Sequence, residues 1–396
     1  MQDNRKNTTS GLALGAAAVW FGSHCGSGFC TGALTLEYFS QYGWAGVLTS
    51  VIPFLFLFVF AYLMGEYSRR IQAKSYKDMV ASIYTSNKAV SSVLVAIWDI
   101  LAILVVFVSV GSCLAAAGSM LNSAFGISYT AGTILTALIV VAINGFGTKA
   151  LAKISKPLVY VMIVCIVIIC ISILGSKWDS LADIMKSKET FSGSTKEGLG
   201  KALLQSFNYI SLQSSFCCGA WIPLMGVMSA RNQVRGASAI GALLNGIMLV
   251  LVSVTIVSQM PDTRNDALPI YSSILSYYGK GSALLMVYQI ALFLAILTTA
   301  TASTFNATAR WSEVIFTSRL NKEQKLGKNA VSILISLLLL LVTIFIAQFG
   351  LRAIISKGYT LVATLKAPLA LSAGFIFAPL RLWQMKKGKH QDLSRE

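Results

Sequence analysis

The chain reads as an all-α polytopic membrane protein whose helices form two five-helix repeats of opposite orientation. Three observations give this reading. Of its 396 residues, 55% are hydrophobic and 12% charged, against about 25% charged in soluble domains. Its apolar stretches recur at lengths that cross a bilayer, which takes about 20 residues per helix. And the heptapeptide SGFCTGA at 27–33 returns as SSFCCGA at 214–220, identical at five of seven positions.

The elements follow in order. The polar start MQDNRKNTTS (1–10) leads into an apolar stretch with no small-residue cleavage site, so it is expected to be a tail before a retained first helix rather than a signal peptide. Spans are expected at 11–39, 46–67, 93–120, 129–147, 157–175, 202–227, 237–260, 281–305, 329–349 and 355–383. The first repeat then covers 11–175 and the second 202–383, with an outer loop at 176–201 and a tail at 384–396. Twenty-two Lys and Arg fall on the side of the N-terminus and nine on the other, with Lys366 inside the last span. Cytoplasmic loops collect such residues, so both termini are expected in the cytoplasm. The same rule accounts for the net charge of +17 without a nucleic-acid partner.

Two outer segments, 176–201 and 261–280, are long enough to hold short helices; they either cap an outward vestibule or simply connect spans. The inner stretch KSYKDMVASIY is amphipathic and is expected along the cytoplasmic face. All seven cysteines (Cys25, Cys30, Cys113, Cys165, Cys170, Cys217, Cys218) lie in apolar segments, which argues against a disulfide-stapled ectodomain.

A shift of 187 residues (214 − 27) places span 1 on span 6, span 2 on span 7 and span 3 on span 8. An odd number of spans per half inverts the second half, an architecture recurrent in secondary transporters. The matched heptapeptides sit mid-span, where helix-hostile residues gather: Gly22, Gly26, Gly28 and Gly32 in one half, Ser211, Ser214, Ser215, Cys217, Cys218 and Gly219 in the other. Glycines also serve close packing of membrane helices. The matching cluster in the second half favours a pair of breaks near the midplane, in the first and sixth helices. Unwound backbone is tolerated there only where it lines a cavity or is buried. Half-helix N-termini then offer N–H groups to a carboxylate, and freed carbonyls offer oxygen to a cation.

At these residues the chain resembles the leucine-transporter fold of the amino acid–polyamine–organocation superfamily, and within it the YkvI-like amino acid permeases. CGSGFCTG (25–32), ALPIYSSI (267–274) and AILTTATASTFNATARW (295–311) carry the resemblance. It implies alternating-access import of an amino acid or similar small amine into a bacterial cell, with closure of helices 1 and 6 against the scaffold of spans 3, 4, 8 and 9. It implies a substrate carboxylate at the amides around Gly26, Ser27 and Gly28, beside Phe29, with Ser211, Ser214, Ser215 and Phe216 receiving the amino group and side chain. It further implies Na⁺ as coupling ion, held by the carbonyls of Gly22, Cys25 and Ala295 and the hydroxyls of Thr298 and Thr299, an oxygen shell that suits a hard cation. Mid-span Ser and Thr also bond back to their own helix, so each hydroxyl has this second reading.

The sequence departs from that pattern in places. Ala33–Leu34 stand where such permeases carry Gln-Glu, and Glu37 follows one turn on. Proton-coupled relatives place a lysine inside the fifth span, whereas Lys153 and Lys156 precede Pro157; this favours Na⁺ over H⁺. Lys366 inside the tenth span and Asp99 inside the third are coupling or structural charges, since intramembrane ionisable groups are costly. His24, Cys25, Cys30, Cys217 and Cys218 would suit a soft transition metal, the basis of an alternative metal-transporter reading. A nutrient-sensing receptor subunit on the same scaffold, as in spore-germinant receptors, is another. No P-loop, H-E-x-x-H or nucleophile elbow is present, so neither an ATP-driven pump nor an enzyme is expected, nor any cofactor. The expected partners are the lipid bilayer and the small-molecule substrate.

Overall fold

The computed structural model describes residues 2–24, 26–146, 149–191, 195–317 and 328–387. The helices are α1 Gln2–His24, α2 Ser27–Cys30, α3 Ala33–Tyr38, α4 Gly43–Thr49, α5 Ile52–Ile71, α6 Tyr76–Ile83, α7 Lys88–Phe125, α8 Tyr129–Phe146, α9 Lys149–Ser187, α10 Thr195–Gly226, α11 Arg231–Val257, α12 Pro269–Tyr278, α13 Ala283–Thr317 and α14 Lys328–Ala347. The last, α15, is a continuous helical stretch Leu351–Lys386 that contains π-helical segments at Ile354–Tyr359 and Ala373–Phe377.

Among the described residues six helices are long and apolar enough to cross a membrane, and Tyr129–Asn144 and Val331–Ala347 are shorter apolar helices. The segmented α1–α3 and the more polar α10 complete the ten expected spans. Leu138, Ile171, Leu243, Ile290 and Leu341 are exposed, as on a surface that meets lipid rather than water.

Packing follows the internal repeat. In one group α1 packs on α11 and α10 on α5, which the 187-residue shift exchanges. In the other, α7 packs on α8, and α13 on α14, with α7 also against both α13 and α14. The first group holds the segmented helix, the second forms the scaffold beside it. Helix α6 precedes α7 at the end of the bundle where α13 terminates, while α12 precedes the start of α13 at the other end.

One expectation changes and two gain detail. Residues 2–10, expected as a tail, are helical and continuous with α1. The outer segments do carry helix: α9 runs on to Ser187 past a non-helical Lys177, and α12 occupies 269–278. The break expected in the sixth span is not there, because α10 is continuous from Thr195 to Gly226. Its hydroxyls are satisfied without unwinding: Ser211 Oγ donates to Phe207 O at 3.0 Å and Ser214 Oγ to Ser211 O at 2.8 Å. Such back-bonds leave helical hydrogen bonding intact, and Gly219 is the one glycine in the stretch 211–219.

Candidate functional site at the broken first helix

The first helix stops at His24 and resumes at Ser27, with Gly26 extended between them (φ −83°, ψ −172°). It stops again at Gly32, whose φ of +81° favours glycine. A Cβ there would also lie 2.9 Å from Ile270 Cγ1 and 3.0 Å from Ile256 Cδ1. The absent side chain lets α12 approach, and the Ile270 N–H donates to Thr31 O at 3.0 Å. Helix α12 therefore covers the break from its own end of the bundle. On the opposite side Trp20 and Trp221 meet with ring centroids 5.1 Å apart, both buried.

Each remaining side of the break has its own neighbour. A Cβ at Gly26 would lie 3.7 Å from Thr299 Cγ2, so the extended residue faces the hydroxyl-bearing turn of α13. Tyr288 of α13 donates to the Cys30 carbonyl at 2.6 Å. Gly28 faces α15, where a Cβ would come 3.7 Å from Tyr359 Cε2. Ser27 Oγ lies 2.9 Å from Ser112 Oγ of α7, and Ser112 Oγ lies 2.7 Å from Tyr359 Oη. The first amides of α2 have no carbonyl one turn back within their own segment, as at any helix start.

His24 closes the lower lip of the break. Its Nδ1 lies 2.5 Å from Asn245 Oδ1 of α11, and its Nε2 meets the Tyr209 hydroxyl of α10. Asn245 Nδ2 donates to Gly241 O at 2.7 Å, which turns Oδ1 toward the imidazole. His24 Nδ1–H then donates to Asn245, and Nε2 accepts from Tyr209. A neutral ring satisfies every partner. Phe29 and Phe54 pack on it at centroid distances of 4.6 and 5.5 Å.

The residues singled out from sequence divide accordingly. Gly26 faces Thr299, Ser27 faces Ser112 and Gly28 faces Tyr359, while Phe29 packs on His24. Thr298 Oγ1 donates to Ala295 O at 2.9 Å, so two of the expected ion ligands are neighbours that bond each other here. Gly22 lies in the last turn of the same half-helix, two residues before His24, and Cys25 lies outside the described residues. Ser211 and Ser214 bond to their own helix; the side chains of Ser215, Phe216, Cys217, Cys218 and Lys156 lie outside the description. Asp99 pairs with Arg310 and with the Tyr76 hydroxyl, away from the break. Lys366 is buried with Nζ 4.8 Å from the centroid of the Trp98 ring.

Of the residues in the metal reading, His24 has both nitrogens committed to Asn245 and Tyr209, and the side chains of Cys25, Cys217 and Cys218 lie outside the described residues. Among the described residues no three His, Cys, Asp or Glu side chains gather around one point. Sequence reasoning misses Tyr209, Asn245, Ser112 and Tyr359, whose roles arise from helices far apart in the chain. It also passes over Glu66, buried at the α6 end of α5 and paired with Arg69 at 2.8 Å and Arg70 at 3.0 Å.

No protein-family profile matches the chain. The uncharacterized membrane protein YkvI of Bacillus subtilis strain 168 is 25% identical over 262 residues, 64% of this chain and 69% of that one. Among solved structures, a substrate-bound, outward-open Na⁺-coupled sialic acid symporter aligns with a TM-score of 0.64 at 13% identity, covering 92% of this chain and 79% of its own. The inward-facing conformation of Mhp1 aligns with a TM-score of 0.59 at 13% identity, covering 92% and 76%. The chain therefore has the leucine-transporter fold, a ten-span inverted repeat with its first helix broken.

Proposed function

We propose that the protein is a secondary active transporter that imports an amino acid or similar small amine by alternating access, coupled to Na⁺. The observation that carries this reading is the approach of Gly26 in the broken first helix to α13, where a Cβ would stand 3.7 Å from Thr299 Cγ2. It sets freed backbone beside a turn that offers a carbonyl and two hydroxyls at spacings of three and four, Ala295, Thr298 and Thr299. The Na⁺-coupled symporter of the same fold supports the choice of ion, and the similarity to YkvI supports membership of that permease group. The concentration of Arg69, Arg70, Arg231, Arg310, Arg381, Lys386 and Lys387 at the α6 end supports a cytoplasmic placing of that end and of both termini, in a bacterial plasma membrane.

The test is ligand-induced thermal shift of the detergent-purified protein against an amino acid panel, in Na⁺ or in choline. A ligand that binds the native state raises stability by RT ln(1 + [L]/Kd). A shift that requires Na⁺ is the expected result. The absence of any shift in both buffers would remove the amino acid reading.

A further inference from the structure

Tyr359 reaches the break from α15, and two glycines make room for it. Gly28 presents bare backbone to its ring, and a Cβ at Gly358 would lie 3.2 Å from Val108 Cγ1 of α7. Tyr359 is the last residue of the π-helical segment Ile354–Tyr359. Such wide turns are rare and concentrate at functional sites, because the extra residue re-aims the side chains that follow. Here the re-aimed hydroxyl bonds Ser112 Oγ.

The protons of this chain can be assigned. Ser112 Oγ donates to Ser109 O at 2.8 Å, so its single proton is used. It must then accept from both Ser27 and Tyr359, which its two lone pairs allow. The Ser27 hydroxyl is thus pinned toward α7 by an acceptor that Tyr359 also holds in place. Phe29, Tyr38 and Tyr209 close around the same segment, each no more than 1% exposed. A ligand at the break is read at short range by bulky, interlocked side chains.

The geometry points to Tyr359, with Ser112 as its anchor, as a specificity-determining residue that restricts the site to a compact zwitterion, an amino acid with a short side chain. The inference rests on the transporter reading above and deepens it. The ring stands on the Gly28 backbone, where a long or aromatic substrate side chain would compete with it, while the hydroxyl chain sets the direction of Ser27.

Thermal-shift titrations of the full-length protein with glycine, alanine, serine, leucine and phenylalanine test it, using wild type, Tyr359→Phe, Tyr359→Ala and Ser112→Ala. Wild type is expected to prefer the three short side chains. Tyr359→Phe and Ser112→Ala each weaken binding of these about tenfold, the effect of one buried hydrogen bond, and keep their order. Tyr359→Ala admits leucine or phenylalanine. A purely structural role would lower the melting temperature of the ligand-free variants and leave the affinity ratios across the panel unchanged; that result overturns the inference, as does a wild type that prefers phenylalanine. If Tyr359→Ala fails to fold, Tyr359→Leu replaces it, with the same relaxation expected. A wild type that binds another amino acid but none of the five overturns this inference alone, whereas no shift with any amino acid in Na⁺ or choline overturns the transporter reading, so the two failures are told apart.

Discussion

Asp99 of α7 and Arg310 of α13 form an ion pair between positions 211 residues apart, and the Tyr76 hydroxyl of α6 donates to the same carboxylate. Burial and the bond to Asp99 raise the Tyr76 pKa above the ordinary phenol value, so this hydroxyl stays a donor at neutral pH. The group joins two scaffold helices to the helix that lies across their ends, which is a structural task. Asp99→Ala is therefore expected to cost about 1–2 kcal/mol, the intermediate range for a half-buried pair. Amino acid binding and its Na⁺ dependence should stay within about twofold of wild type in thermal-shift titrations. Loss of ion dependence in this variant would return Asp99 to the coupling machinery.

Thr298 and Thr299 carry the opposite expectation. Replacing both with alanine removes two oxygens of the expected shell, and the ligand-induced shift should become equal in Na⁺ and choline. Replacing both with serine keeps the oxygens and should keep the ion dependence. A double alanine variant that still responds to Na⁺ would place the ion elsewhere.

His24→Ala leaves the Asn245 oxygen without its imidazole donor, while the Tyr209 hydroxyl keeps its bond with Gln213. An unsatisfied buried partner costs about 1–3 kcal/mol, so a drop in that range is expected in chemical or thermal unfolding. His24→Ala in a Tyr209→Phe, Asn245→Leu background should cost less, since no polar group is then left behind.

Gly32→Ala tests the seat of α12. The positive φ and the 2.9 Å approach of Ile270 both oppose a side chain, with overpacking alone costing about 1–3 kcal/mol. The variant should loosen α12 over the break, read as faster hydrogen exchange of the Ile270 N–H that donates to Thr31 O.

Much of this architecture is legible in the sequence because its causes are local or repeated. The shift that superposes 27–33 on 214–220 foretells that α1 on α11 mirrors α10 on α5, and the glycines at 26 and 32 foretell the interruptions between them. The sixth helix misleads because a Ser-rich stretch has two satisfactory outcomes, and Ser211 and Ser214 take the helical one. The partners of His24, Asp99 and Lys366 are supplied by other helices: Tyr209 and Asn245, Arg310, and the Trp98 ring. Nothing near those residues in the chain announces them. Tyr359 is hidden for a further reason: a π turn shifts the face on which later residues fall, so an ideal helical period places it wrongly.

Trp20 and Trp221 brace the two repeats against each other beneath the break. Trp20 rests on Gly241, where a Cβ would stand 2.3 Å from its ring, and Trp221 rests on Gly65, where a Cβ would stand 3.1 Å from Nε1. Trp221 also donates to Ala61 O at 2.8 Å. Each ring occupies a notch cut by a glycine of the opposite repeat, and each ring props the other. Close-packed contacts of this kind leave little room for either ring to shift alone. The floor beneath the break is thus a keystone shared by the two repeats, and a single methyl group added at Gly241 would push Trp20 out of its seat.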